Sequence, residues 1–555
     1  MILVVFSYIA LIAVTSLFGQ PQFTEFDQFS SGYASHGLAI ADYDGDSLLD
    51  VCIANSWGGP NQIYKNMGNL NFSLLGSFGY LESRGAAWGD YNNDGLLDLA
   101  IANSDGEQNK LYIQIGNSNF AIFNTFGLFN SFGISWADFD NDCDLDVAVS
   151  NANGDPNILY ENNGNGNFQE HRVFGNGNSR GCSWGDYDND GLPDLALAMR
   201  EGGIEIYHND GNGNFSVGYS SGTPMVVGVN WGDYENDGDL DLVAATLDNS
   251  NVYIFRNNNN TFELKQIAYK YRNSGVAWLD FDLDGDLDIV VGSYADYEPL
   301  STLENVNDSV FVSYDISTDS LCIISLSVGD MDNDGDIDIC LPVYWNNDQN
   351  KLFRNDLNAT NYIKVHLRGR AVPGFTNYFG VGAKVKVYNS NDSLIRFDEI
   401  NGGMGASMNA MEAIFGVSLS DTYTVVAEWP ASGIIDTINN VSAPRELTIY
   451  EGWGLAIREG SKLNTKQPTS IFPNPSRDIF HIRYSVNKST HVMLEIYDIS
   501  GRLQKRVQLL SQKPGCHTFV WNGENTKGQP VPAGIYFLIL EKESKRQSKR
   551  LIVIK

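Results

Sequence analysis

One string recurs seven times along this chain: DYDGDSLLD from Asp42, DYNNDGLLD from Asp90, DFDNDCDLD from Asp138, DYDNDGLPD from Asp186, DYENDGDLD from Asp233, DFDLDGDLD from Asp280 and DMDNDGDID from Asp330. The spacings are 48, 48, 48, 47, 47 and 50 residues. A period of this size marks a repeat architecture, in which each unit buries its apolar faces against its neighbours.

Positions 1, 3, 5 and 9 of each copy carry the oxygens. They are Asp42, Asp44, Asp46 and Asp50; Asp90, Asn92, Asp94 and Asp98; Asp138, Asp140, Asp142 and Asp146; Asp186, Asp188, Asp190 and Asp194; Asp233, Glu235, Asp237 and Asp241; Asp280, Asp282, Asp284 and Asp288; and Asp330, Asp332, Asp334 and Asp338. Of these 28 positions, 27 are acidic, and Asn92 still offers an oxygen. Two carboxylates about 4 Å apart repel by about 1 kcal/mol in water and about 4 at an effective dielectric of 20. A hard divalent cation removes that conflict. Calcium takes six to eight oxygens in flexible geometry, and D-x-D-x-D-G supplies them. The 28 residues are therefore read as ligands for up to seven calcium ions. The alternative, a solvated acidic turn, leaves the repetition unexplained. Position 6 is Gly in five copies and Ser47 or Cys143 in two, where a weakened or distorted site is expected. With no Glu at position 12 and no flanking helix, this is not an EF-hand.

The rest of each repeat reads as β. Trp88, Trp136, Trp184, Trp231 and Trp278 each precede a first Asp by two residues and are expected to pack between repeats. Apolar β-formers follow position 9, then Asn-x-apolar-Tyr-x-Asn, as in NQIYKN from Asn61. A fourth strand begins at Phe72, Phe120, Phe168, Phe215, Phe262 or Phe311. Four strands per unit fit a propeller blade. The last unit has only three strands of its own, and Phe23 stands where the seventh Phe belongs. Residues 22–29 are thus expected to close blade 7 and make it the neighbour of blade 1.

The two ends differ in kind. Residues 2–18 are one apolar run, read with 1–19 as a secretory signal peptide. No later segment is long and apolar enough to span a bilayer in the mature chain. The net charge is −32, which argues against a nucleic-acid partner. Residues 466–555 nevertheless hold 15 basic and 6 acidic residues, leaving 21 against 62 elsewhere. That asymmetry predicts a separate C-terminal module. Six cysteines lack CxxC spacing, so neither a zinc site nor a dense disulfide framework is implied. Cys52 and Cys340 occupy the same position in two repeats, and would pair if those repeats are neighbours; buried free thiols are the alternative.

The repeats resemble the FG-GAP/VCBS family, the calcium-loaded propellers of integrin α-subunit heads and many bacterial secreted proteins. The resemblance implies an all-β chain with a seven-bladed β-propeller over 20–356, calcium lying between the first and second strands of each blade. Residues 357–455 resemble an ASPIC/UnbV domain, as in proteins similar to cartilage acidic protein, through Asn361-Tyr362-Ile363-Lys364-Val365, Gly380-Val381-Gly382-Ala383-Lys384-Val385, Gly402-Gly403, Phe415-Gly416 and Glu428-Trp429-Pro430. The family has Asn-Arg where this chain has Asn377-Tyr378. After a linker at 456–469, residues 470–555 resemble the type A C-terminal sorting domain of type IX secretion, through Phe472-Pro473-Asn474-Pro475, Asp498-Ile499-Ser500-Gly501-Arg502, Trp521-Asn522-Gly523 and Ala533-Gly534-Ile535-Tyr536. These two parts are expected as small β-sandwich-like domains. The resemblance implies export to the surface of a Gram-negative cell, with the type IX machinery as a partner.

No catalytic constellation stands out: the seven histidines are dispersed, and HExxH, GxSxG and P-loop motifs are absent. Adhesion or binding of a glycan or protein is the reading preferred, with a glycan-degrading enzyme or its accessory subunit as the alternative. The loops between second and third strands of blades 6, 7 and 1 carry Tyr294, Tyr297, Tyr344, Trp345 and Trp57. If blade 7 adjoins blade 1, these aromatics form one arc suited to stacking on sugar rings or anchoring a protein. The other reading of them is rim packing.

Overall fold

The computed structural model describes residues 21–457 and 470–553, except 30–32, 116–118, 165–166, 176, 223–224, 248–250, 295–297, 307, 309, 345–348, 358, 453, 473–479, 487–489, 500, 513–514 and 543–544. The leader expected at 1–19, most of the 456–469 linker, and Tyr297 and Trp345 of the arc lie outside the described residues. Among the described residues every regular element is a strand, and none is a helix able to cross a membrane.

The second repeat shows the unit. Strands Ser83–Gly89, Asp98–Asn103, Asn109–Gln114 and Phe120–Phe126 pair consecutively and antiparallel, with the acidic loop between the first two. Small or β-branched residues on the second strand are buried on both faces, as a sheet packed between two others requires. The same four-stranded sheet recurs along 35–320, and a last one is formed by Ser327–Gly329, Asp338–Leu341 and Asn350–Asn355 together with Phe23–Phe29. In that last sheet Phe23 lies opposite Asn355 and Asp27 opposite Lys351. First strands neighbour one another in chain order, and Ser327–Gly329 returns to neighbour Ser35–Ala41. These are repeated four-stranded sheets of the β-propeller kind.

Two side-chain series tie each sheet to the one before. The buried indoles of Trp88, Trp136, Trp184, Trp231 and Trp278 donate to the carbonyls of Ala39, Ala87, Ser135, Ser183 and Asn230 at 3.1–3.4 Å. The last Asn of the Asn-x-apolar-Tyr-x-Asn motif donates to the carbonyl of loop position 2 in the preceding sheet: Asn162 to Tyr91, Asn209 to Phe139, Asn257 to Tyr187 and Asn355 to Phe281. Asn66 makes the same bond to Met331 at 2.8 Å, joining the first sheet to the last.

Cys52 and Cys340 are free, buried thiols, so the disulfide considered above does not form. The reason is geometric. Cys52 packs in the core shared with Trp88, toward the second sheet, whereas Cys340 packs with Ile40 and Val51, toward the first. Equivalent positions point the same way round a ring and never face each other.

After the ring come two four-stranded sheets. One orders Ala413–Gly416, Tyr362–Arg368, Arg445–Tyr450 and Gly454–Ile457; the other orders Leu394–Glu399, Lys384–Tyr388, Tyr423–Glu428 and Ile435–Val441. Val365, Val385, Val425 and Trp429 are buried in their core. The C-terminal region forms a three-stranded sheet (Ser470–Phe472, Phe480–Val486, Gly515–Trp521) and a four-stranded one (Leu503–Gln512, Thr490–Asp498, Gly534–Lys542, Lys545–Val553). Phe480, Trp521 and Leu538 belong to its separate core.

Candidate functional site

Each acidic loop is held by its own amides. In the second copy, Asp90 accepts from the amides of Asp94 (3.0 Å) and Gly95 (2.8 Å). Position 9 is pinned from the third strand, as where Asn66 N donates to Asp50 Oδ1 at 2.7 Å. The carboxylates therefore converge. Ligand oxygens of Asp42, Asp44 and Asp50, of Asp138, Asp140 and Asp146, and of Asp280, Asp282 and Asp288 lie within 4.8 Å of one another in each group. Burial, reinforced by the neighbouring carboxylates, raises these acids: Asp233 to about 7, Asp282 to about 8 and Asp332 to about 7. Asp50 Oδ2 and Asp280 Oδ1 are buried without a hydrogen-bond partner. Buried oxygens left unpaired beside other carboxylates are what a hard cation satisfies, so the residues present fit calcium.

Position 6 has φ 80° at Gly95, and 75° and 77° at Ser47 and Cys143. The two substituted loops keep the same left-handed turn, at a conformational cost of roughly 1–2 kcal/mol per residue. The distortion expected there is absent from the backbone.

The domain after the ring docks on these loops. Lys364 Nζ lies 2.9 Å from Asp330 Oδ2, Lys384 Nζ 2.9 Å from Asp186 Oδ2 and Arg396 Nη1 2.9 Å from Asp280 Oδ2, all buried. Both lysines also reach the position-4 side chain, Asn333 at 3.2 Å and Asn189 at 2.6 Å. Glu412 and Glu399 accept the amides of Asp330 and Asp186. Between these anchors the chain enters the ring. Gly402 bridges Trp136, Met404 bridges Ser183, and Ser407-Met408 pairs in parallel with Leu38-Ala39. A Cβ on Gly405 would lie 2.9 Å from Gly181 Cα, and one on Gly402 2.1 Å from the Trp136 carbonyl, so only glycine passes.

The far end of the ring is different. In five first strands the register shifts at the second residue, around His36, Arg84, Phe132, Arg180 and Val227. A bulge leaves that residue unpaired and re-aims its side chain. Phe132 meets His36 at 5.6 Å between ring centroids, and His36 meets Tyr344 at 5.9 Å. Tyr344 in turn contacts Trp57 (5.6 Å) and Tyr294 (6.3 Å). Trp57 is 51% exposed. Of the predicted arc, Trp57, Tyr294 and Tyr344 are thus brought together.

Residues 42–101, 90–149, 138–197, 186–244, 233–291 and 280–341 match the FG-GAP-like repeat, more than half of the chain. The chain belongs to the FG-GAP-like repeat family. Its residues 375–455 match the ASPIC and UnbV domain, and 478–545 the FlgD Ig-like domain. No curated protein matches its sequence. Among solved structures it is similar to an Agrocybe aegerita lectin described for recognition of non-reducing terminal N-acetylglucosamine (17% identity, 52% of this chain and 81% of that one, TM-score 0.38). It is also similar to BBS1N in complex with ARL6DN (11% identity, 61% and 99%, TM-score 0.44).

Two features of these FG-GAP-like repeats escaped the sequence reading. Position 4 is left-handed in every copy, from φ 55° at Asn93 to 72° at Gly45. Where it is Asn, its amide donates to the next loop: Asn93 to the Cys143 carbonyl, Asn141 to Gly191, Asn333 to Ser47. The recurrent Asn was the available signal, since Asn tolerates this conformation and can bond onward. The second feature is the residue before the last motif Asn, which leans on the loop. Lys65 pairs with Asp44 and Asp46, Arg256 with Glu235, and His208 lies 3.3 Å from Asp188. Glu161 occupies this place in the third copy and raises Asp140 and Asp142 further.

Proposed function

We propose that this chain is a secreted, calcium-loaded, seven-bladed propeller that binds a glycan at the mouth opposite its metal loops. Calcium supplies the counter-charge that lets the acidic loops stay folded; the 28 oxygen-bearing residues named above hold it. The ASPIC/UnbV domain seals one end of the channel through Lys364, Lys384 and Arg396. The C-terminal domain serves as a type IX sorting signal, which accords with its basic composition and separate core.

The observation that carries the binding role is the contact chain Trp57–Tyr344–Tyr294, built from loops of three different sheets. A half-exposed Trp on a rigid scaffold, flanked by two tyrosines, presents flat apolar faces at little entropic cost. These are the faces sugar rings stack on. The test is a glycan array with the full chain in calcium, repeated with Trp57→Ala and Tyr344→Ala. Binding by the parent that both substitutions abolish, with melting temperature unchanged, is expected. Equal binding by all three proteins overturns the assignment.

A further inference from the structure

The mouth that holds the aromatic arc is also where arginines gather, in a chain of net charge −32. Arg180 and Arg84 come from bulges on the first strands of two different sheets. The Arg180 guanidinium lies 3.9 Å from the centroid of the Phe132 ring, and that of Arg84 lies 5.2 Å from it. Arg272 lies 5.6 Å from the centroid of Tyr294. Arg84 is held by Ser104 Oγ at 3.1 Å and has Glu82 at 3.5 Å. Arg180 has no comparable support: among the described residues no hydrogen bond or ion pair reaches its guanidinium. Burial and the charges of Arg200 and Arg84 pull it down to about 10, and burial first, then Arg84 and Arg180, lower His36 well below its ordinary value. A cation kept among cations, set over an aromatic ring and with its donors uncommitted among the described residues, is poised for an anion.

We infer that this mouth recognises an anionic sugar, with the guanidiniums of Arg180 and Arg84 taking its carboxylate or sulfate while Trp57, Tyr344 and Tyr294 stack on its rings. This rests on the glycan-binding assignment above and narrows it. The stacked surface is what favours a saccharide over an acidic protein segment. Recognition is short-ranged. Beyond about 8 Å at physiological salt the acidic remainder of the chain is screened, so the ligand meets the local positive charge, not the net negative one.

The test is calorimetric titration of the full chain, in calcium, with four short probes that do not gel: trigalacturonate, its methyl ester, sulfated maltotriose and maltotriose. The expected result is binding of trigalacturonate or the sulfated probe, at least about tenfold tighter than the matching neutral sugar. Which of the two binds names the acidic group. Arg180→Gln is expected to lose about tenfold on the charged probe, with melting temperature and neutral-sugar binding unchanged. Arg180→Lys, which keeps the charge and removes the fork, is expected to fall between. Equal affinity for charged and neutral sugars overturns the anionic inference and leaves the aromatic site standing. Binding of none of the probes overturns the inference as well, and the Trp57→Ala array then decides the aromatic site separately.

Discussion

On one face of the ring every repeat presents the same arrangement of oxygens; on the other, the bulged residue changes from sheet to sheet. The sequence His36, Arg84, Phe132, Arg180, Val227 has no common chemistry. The acidic face has one job per repeat and repeats it, and its neighbours reinforce it through position-4 bonds such as that from Asn333 to the Ser47 carbonyl. The other face is free to differ because nothing in the ladder depends on an unpaired bulge residue. The constant face is therefore where we place stability, and the varied face is where we propose recognition.

The strongest way to break that comparison is to remove calcium. A site filled at 100 times its Kd adds about 2.7 kcal/mol, and about 2 °C accompanies each kcal/mol at this size. Emptying four or more sites is then expected to lower the melting temperature by about 20 °C, read by scanning calorimetry with and without EGTA. The chelated protein also has an expected pH dependence. Asp233, Asp282 and Asp332 are raised above the ordinary carboxylate value of about 3.9, to about 7, 8 and 7. Groups raised in the folded state contribute stability at low pH that is lost as pH climbs through those values. In EGTA the melting temperature should accordingly rise between pH 8 and pH 5; a fall over that range would contradict the burial described.

Next in size is the docked domain. Arg396→Met leaves Asp280 buried beside its loop without its cation, and breaking such a pair costs about 3–5 kcal/mol. The loss is measured by calorimetry in EGTA, where no calcium stands in for the guanidinium, against Trp57→Ala at the far mouth, which should change stability by under about 0.5 kcal/mol. Comparable losses from both would erase the division between the faces. The smallest effect sharpens the comparison within one face. Lys65→Gln is expected to tighten calcium at the first loop and Glu161→Gln to weaken it at the third, each by about fivefold, or about 1 kcal/mol. Calcium titration of the two variants reads this.

The repeating part of the chain was legible because periodicity reports whatever each unit does in common. The acidic loop, the Trp two residues before it and the Phe that opens the fourth strand recur at fixed spacing, and each fell where that spacing put it. What is unique was hidden. Asn401-Gly402-Gly403-Met404-Gly405 offers the sequence only the Gly402-Gly403 pair of the ASPIC/UnbV resemblance, and its fit against Trp136 and Gly181 is what reveals a plug. Lys364 and Lys384 sit in strands of ordinary alternation, so nothing local marks them as partners of Asp330 and Asp186. Arg84 and Arg180 stand in a stretch that reads as plain strand; a bulge is a property of pairing, which one strand's sequence does not contain.

The pairing of Phe23–Phe29 with Asn350–Asn355 has a consequence in time. Thr24 and Asp356 hydrogen-bond across 332 residues. At a synthesis rate of about 5–20 residues per second, the first strand leaves the ribosome roughly 17 to 66 seconds before the strand it must join. Throughout that interval the earlier sheets have no partner with which to close. The molecule is thus assembled last-piece-first-strand, like a clasp whose two halves are made at opposite ends of the production line, and it stays open for as long as the line runs.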